Sequence, residues 1–232
     1  MSQTYPLGDF RAEYAALVGQ LTGGRSFPQT PGGFLHGMTP DNDRCLEYEA
    51  AVQAVPMDMG RRAIEFAAPA SFFGLYASNY YRHYQVVDDS HDMKHADPAL
   101  RQAWGRALSD FPDRLGFAAR AEDLSTQDAP PYDVGFVFRS LENAPDDFVL
   151  MAKLRHLLAH DAGLFISVAF SHAGPFEFDA DAGFRVYDEG RVRALLAGFE
   201  ITSWRPMESA EEVANLPRPF DLTVLCVGAK RR

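Results

Sequence analysis

The stretch AIEFAAPASFFGLYAS, residues 63–78, decides how the chain is read. Its first half, around Ala63, Ile64 and Phe66, is an apolar run of strand length. Its second half carries aromatic residues at helical intervals. Between the two stand Ala67, Pro69 and Ser71, where the chain must turn. A strand that closes on an acidic residue, here Glu65, ahead of a turn and a helix announces a nucleotide-type ligand site. Such turns are usually built from glycine, which reaches positive φ and lets backbone approach a ligand with no Cβ in between. Here Ala67 adds a methyl and Ser71 a small polar group, while Pro69 fixes φ and removes a donor. All three are small, so the turn can still be tight.

Outward from this stretch, strands and helices alternate. Residues 84–88 (YQVVD), 115–120 (LGFAAR), 132–140 (YDVGFVFRS) and 164–170 (LFISVAF) read as strands. Residues 71–82, 99–111, 146–160 and 188–198 read as helices, the third entering the next strand through Gly163, a helix stop. Strands at 199–206 and 222–229 follow each other without a convincing helix between them, which permits a final antiparallel hairpin. Two helices, at 9–22 and 43–54, precede everything else and flank RSFPQTPGGFLHGMTPDND, a Gly- and Pro-rich irregular segment. The alternation predicts an α/β fold: a Rossmann-like, seven-stranded, mostly parallel sheet covered on both faces, with an antiparallel last strand. Residues 1–55 are expected to form an N-terminal helical lid, and residues 56–232 the α/β domain.

Composition narrows the function. The chain has 232 residues, 47% hydrophobic, with 32 acidic against 22 basic residues and a net charge of −10. That length supports one full domain with a substantial core. The acidic balance argues against a nucleic-acid partner. No uncharged stretch approaches membrane-spanning length, and the opening MSQTYPLGDF lacks a basic segment followed by an apolar run, so neither a membrane span nor an export signal is expected. Cys45 and Cys226, far apart and without metal-type spacing, read as reduced thiols of a cytoplasmic protein.

In order and texture the pieces IEFAAPASFF, YQVVDDS, YDVGFVFRSLENAPDD, AGLFISVAF and AGFEITSW resemble the class I S-adenosylmethionine-dependent methyltransferase family, over about residues 60 to 230. Each motif alone is weak; their order and spacing carry the likeness. The resemblance implies S-adenosylmethionine as cofactor and a small-molecule acceptor, with oxygen or nitrogen of a sugar, amino acid or natural product as the methylated atom. It places Glu65, and the turn residues Ala67 and Ser71, near the cofactor's amino-acid end. It places Asp88 on the ribose hydroxyls, where one carboxylate accepts from both, with Asp89 competing for that role. AEDL, residues 121–124, matches the adenine loop, but Arg120 stands near the place of the aspartate that often precedes it, leaving Glu122 or Asp123 to reach the adenine amino group. Phe138 and Arg139 occupy the floor of the site, and Asn143 lines it.

Methyl transfer asks chiefly for alignment. A hydroxyl acceptor also needs a general base, and histidine suits neutral pH. His172, in FSHAG, and His36, in GGFLHGM, are the candidates, each against the plainer reading of a loop histidine. His156 and His160 read as surface or helix-end residues. His91 and His95 fall at i and i+4, a metal-capable spacing if helical, but a solvated first turn capped by Ser90 or Asp89 is the preferred reading, and no metal is expected. The cluster of Phe72, Phe73, Tyr76, Tyr80, Tyr81 and Tyr84 is read mainly as core, although it could stack on an aromatic substrate. The glycine-free turn also supports a rival: a catalytically silent relative serving as a binding or assembly subunit. A homodimer or a partner subunit is compatible with either reading.

Overall fold

The apolar runs become strands buried on both faces. The computed structural model describes residues 10–22, 43–55, 57–67, 72–87, 98–118, 124, 131–142, 144–172, 176–177, 185–207 and 222–232. In chain order the elements are α1 (Phe10–Thr22), α2 (Asp43–Ala54), β1 (Arg62–Ala67), α3 (Phe72–Ala77), β2 (His83–Val87), α4 (Pro98–Asp110), β3 (Leu115–Ala118), β4 (Tyr132–Phe138), α5 (Asp147–Leu157), β5 (Leu158–Ser171), β6 (Phe176–Glu177), β7 (Arg185–Val186), α6 (Glu189–Leu195), β8 (Phe199–Met207) and β9 (Leu222–Arg231).

Seven strands form one sheet in the order β3-β2-β1-β4-β5-β9-β8. The pairs from β3 through β5 are parallel. β9 runs antiparallel to both β5 and β8, so the reversed strand is inserted beside the edge. Strand alternation divides the core into two layers. Ala63, Val134, Phe136 and Phe138 face α1 to α4, packing with Phe10, Tyr14, Tyr48, Phe73 and Trp104. Ile64, Phe66, Val137 and Ile166 face α5 and α6, packing with Leu150, Leu154, Val192 and Leu195.

Three local expectations change. The helix expected over 71–82 stops at Ala77 and continues as a 3-10 turn, Ser78–Tyr80. There Ser78 Oγ and Asn79 Nδ2 both donate to the Leu75 carbonyl, competing with the helical ladder. The helix expected over 146–160 ends at Leu157, and the strand begins at Leu158 rather than near Gly163. Leu158 is extended and pairs with Tyr132. Asp161 adopts a positive φ of 65° and lies 3.0 Å from Lys230 Nζ on β9. Cross-strand pairing therefore outweighs helical periodicity here, and His160 stands on a strand, exposed, 3.2 Å from Asp161. The short ribbon of β6 and β7 had no sequence signal; two-residue strands carry no readable period.

Candidate functional site

The sheet reverses its winding between β1 and β4: the chain steps from β1 to β2 and β3 in one direction, and from β4 to β5 in the other. Ligand clefts of such sheets open at the carboxyl ends of the strands beside that switch. Ala67 and Phe138, the last residues of β1 and β4, are register partners there. Ser140 Oγ ties the two exits together by donating to the Phe66 carbonyl at 2.9 Å.

Glu65 lies just inside this end, fully buried. The Tyr84 hydroxyl donates to Glu65 Oε2 at 2.8 Å. Burial, then the neighbouring Glu65 charge, pushes the Tyr84 phenol well above its usual range, so it stays a donor. α3 crosses directly over the carboxylate because Gly74 has no side chain: a Cβ there would lie 2.7 Å from Glu65 Oε2 and 2.9 Å from Trp104 Cζ2. Two elements thus hold a carboxylate that the strand pattern alone would make apolar.

Phe138 is buried in a ring cluster, with its centroid 4.9 Å from Tyr48 and 4.9 Å from Phe73. It reaches the strand end from inside the core. Arg139 follows it with a positive φ of 52°, outside the ordinary range for a residue with a side chain. Its Nε lies 3.1 Å from Glu47 Oε1, on α2, and the Glu47 carboxylate is fully buried. Ser167 Oγ, on β5, donates to Glu47 Oε2 at 2.6 Å. Burial, then the Glu47 charge, raises the Cys226 thiol on β9, leaving it protonated and unreactive at neutral pH.

The loop leaving β4 is held from the other side of the sheet. Glu142 Oε1 accepts from the Ala169 backbone at 2.8 Å. The Arg185 guanidinium donates to the carbonyls of Ala144 and Pro145, and the Tyr187 hydroxyl to Leu141. Arg191 grips Asp147 with two bonds, 2.9 and 3.0 Å. Burial opposes ionisation of Asp147, but these bonds and the Tyr187 hydroxyl outweigh it and hold its pKa below the usual carboxylate range.

Of the residues singled out from sequence, Glu65, Ala67, Phe138 and Arg139 come together at the β1 and β4 ends. His172 follows β5, exposed, with its ring edge-on to Phe170 at 4.9 Å. His36, Ser71, Asp88, Asp89, Glu122, Asp123 and Asn143 lie outside the described residues, as do His91 and His95. Among the described residues, no group of three or more His, Cys, Asp or Glu is arranged to hold a metal, and no helix is long and apolar enough to cross a membrane. Sequence reasoning missed Glu47 and Ser167. The signal for Glu47 was available: it sits four positions before Ala51 in DRCLEYEAAVQA, on the face that carries Ala51 and Val55 into the core.

No protein-family model matches the chain, and no curated protein matches it in sequence. Solved structures do match. Coclaurine N-methyltransferase bound to N-methylheliamine and SAH superposes with a TM-score of 0.63 at 9% identity, covering 98% of this chain and 95% of that one. The N-methyltransferase NodS from Bradyrhizobium japonicum WM9, in complex with S-adenosyl-L-homocysteine, gives 0.59 at 15% identity, over 94% and 97%. The [4+2]-cyclase SpnF gives 0.62 at 16% identity, over 95% and 94%. The fold is therefore the Rossmann-like fold of class I S-adenosylmethionine-dependent methyltransferases.

Proposed function

We propose that this chain is an S-adenosylmethionine-dependent methyltransferase acting on oxygen or nitrogen of a small-molecule acceptor: a sugar, an amino acid or a natural product. The observation that carries the reading is Glu65, a carboxylate buried at the carboxyl end of β1, beside the switch point, and oriented by Tyr84. A buried negative charge suits a ligand whose amino-acid end is an ammonium and whose reactive centre is a sulfonium. When bound, S-adenosylmethionine supplies a methyl group already activated for transfer. The chain's share is to bind, align and exclude water. Glu65, Ala67 and Ser71 hold the amino-acid end, Asp88, directly after the last residue of β2, takes the ribose hydroxyls, and Glu122 or Asp123 takes the adenine amino group. His172 or His36 accepts the proton of a hydroxyl acceptor.

A second reading is favoured by one observation, the stretch Ala67-Ala68-Pro69-Ala70-Ser71, which holds no glycine. In that reading the chain is a silent relative that binds or assembles with another protein. A third keeps the pocket for chemistry other than methyl transfer; the [4+2]-cyclase SpnF shares the fold.

Calorimetric titration and thermal shift with S-adenosylmethionine and S-adenosyl-L-homocysteine separate these. The methyltransferase reading expects saturable binding of both, and methyl transfer from labelled cofactor onto a small-molecule acceptor. Binding without transfer to any acceptor favours the third reading. No heat and no shift up to millimolar ligand defeats the methyltransferase reading. Replacing Asp88 by Ala removes a charged acceptor of hydroxyl bonds and is expected to weaken binding by about tenfold to a hundredfold. Unchanged affinity takes Asp88 out of the site.

A further inference from the structure

Glu47 on α2, Arg139 just past the end of β4 and Ser167 within β5 close a loop of bonds. Ser167 is the register partner of Phe138. Its carbonyl accepts the Arg139 backbone N–H at 3.1 Å. Its hydroxyl donates to Glu47 at 2.6 Å, and Glu47 in turn pairs with Arg139 Nε at 3.1 Å. Both the backbone and the side chain of Arg139 are thereby specified, at a φ of 52° that a side-chain-bearing residue keeps only when its surroundings over-determine it. Stability does not explain such an arrangement. A buried ion pair contributes little net stability compared with well-packed apolar residues of the same volume. Backbone outliers of this kind cluster at ligand sites, where they pre-organise a group.

We infer that Glu47 is a positioning residue of the ligand site, acting through Arg139. The carboxylate on α2 fixes the guanidinium and the left-handed backbone at the exit of β4, next to the end of β1, so that the floor of the cleft is formed before ligand arrives. The inference rests on the reading that this cleft binds S-adenosylmethionine. It also gives α2 a role beyond covering apolar surface, because the N-terminal segment supplies a group on which the site's geometry depends.

The test is calorimetric titration of the full chain with S-adenosyl-L-homocysteine, with thermal melts in parallel, for the wild type, Glu47→Gln, Arg139→Gly and the double variant. Glycine adopts the same φ without strain and deletes the guanidinium. Glu47→Gln and Arg139→Gly are each expected to weaken binding by about tenfold or more. The double variant is expected to match Arg139→Gly within about twofold, because Glu47 has nothing left to act through. Losses that multiply in the double variant overturn the inference. So does a Glu47→Gln protein that melts earlier but binds as the wild type does, the mark of a purely structural pair. Should Glu47→Gln fail to fold, Ser167→Ala, which removes only the donor to Glu47, is measured in its place. Wild-type affinity in that variant overturns the inference, and weakened affinity supports it. A wild-type chain that binds nothing removes the methyltransferase reading and this one together, whereas normal wild-type binding with unaffected variants removes this one alone.

Discussion

A single missing Cβ lets the buried carboxylate of β1 and the helix above it coexist. At Gly74 an alanine would meet Glu65 Oε2 at 2.7 Å and the Trp104 ring at 2.9 Å, and Trp104 is fully buried. Inside a helix, alanine normally stabilises by about 0.5–1 kcal/mol over glycine. Overpacking against a fixed ring costs about 1–3 kcal/mol, so the clash prevails. Gly74→Ala is expected to lower the melting temperature by about 2–4 °C for each kcal/mol lost, read by calorimetry. A stabilised variant would show that Trp104 and Glu65 yield more easily than their burial implies. The glycine and Glu65 were both visible in AIEFAAPASFFGLYAS, but their close approach was not, nor was Trp104 of α4 beside them.

Elements on the far face hold the β4 exit loop through charge. Asp188 caps α6 by accepting from the Arg191 backbone at 2.7 Å, and the same arginine's guanidinium reaches back to Asp147 on α5. Because the folded pKa of Asp147 is depressed, the contribution of its charge is present above the unfolded-state carboxylate pKa, about 3.9, and is lost as pH falls through the lower folded value. Urea midpoints from pH 7 to 3 are expected to show Asp147→Asn less stable at neutral pH, the gap to wild type narrowing below about pH 4. A gap that stays constant to pH 3 would remove the Asp147 charge from the account. The helices read from sequence over 146–160 and 188–198 begin at the residues that cap them, Asp146 and Asp188. The pairing of α5 with α6 through Arg191 is not local and carried no such signal.

At the scale of the molecule, α1 and α2 share one aromatic core with the sheet. Tyr48 stacks on Phe73 with centroids 4.9 Å apart, and Phe10 meets Tyr76 edge-on at 5.2 Å. Tyr76 and Tyr80 both donate to Glu13 of α1. A chain beginning at residue 56 would bare the faces of Phe73 and Phe138 and leave Arg139 without the Glu47 carboxylate. It is expected to lose cooperative unfolding and near-ultraviolet circular dichroism, whereas a lid merely resting on a finished domain would come away with the melting curve intact. Clean two-state melting of that shortened chain would support the lid boundary at residue 55.

Local sequence determined the layer order of this protein. Alternating periods of strand and helix, with apolar strands long enough to be buried on both faces, admit few arrangements other than a covered parallel sheet, and the bare connection before β9 allowed the reversed strand. Local sequence also placed Glu65 at the right strand end, since an acidic residue in an apolar strand is conspicuous. Only the tertiary structure decided that α5 yields to β5 at Leu158, because pairing with Tyr132 is a contact between distant segments. It alone joined Glu47 to Arg139, which are 92 positions apart. A period shows which face a residue takes; which charge waits on the opposite face depends on how the chain returns, and that is set by packing.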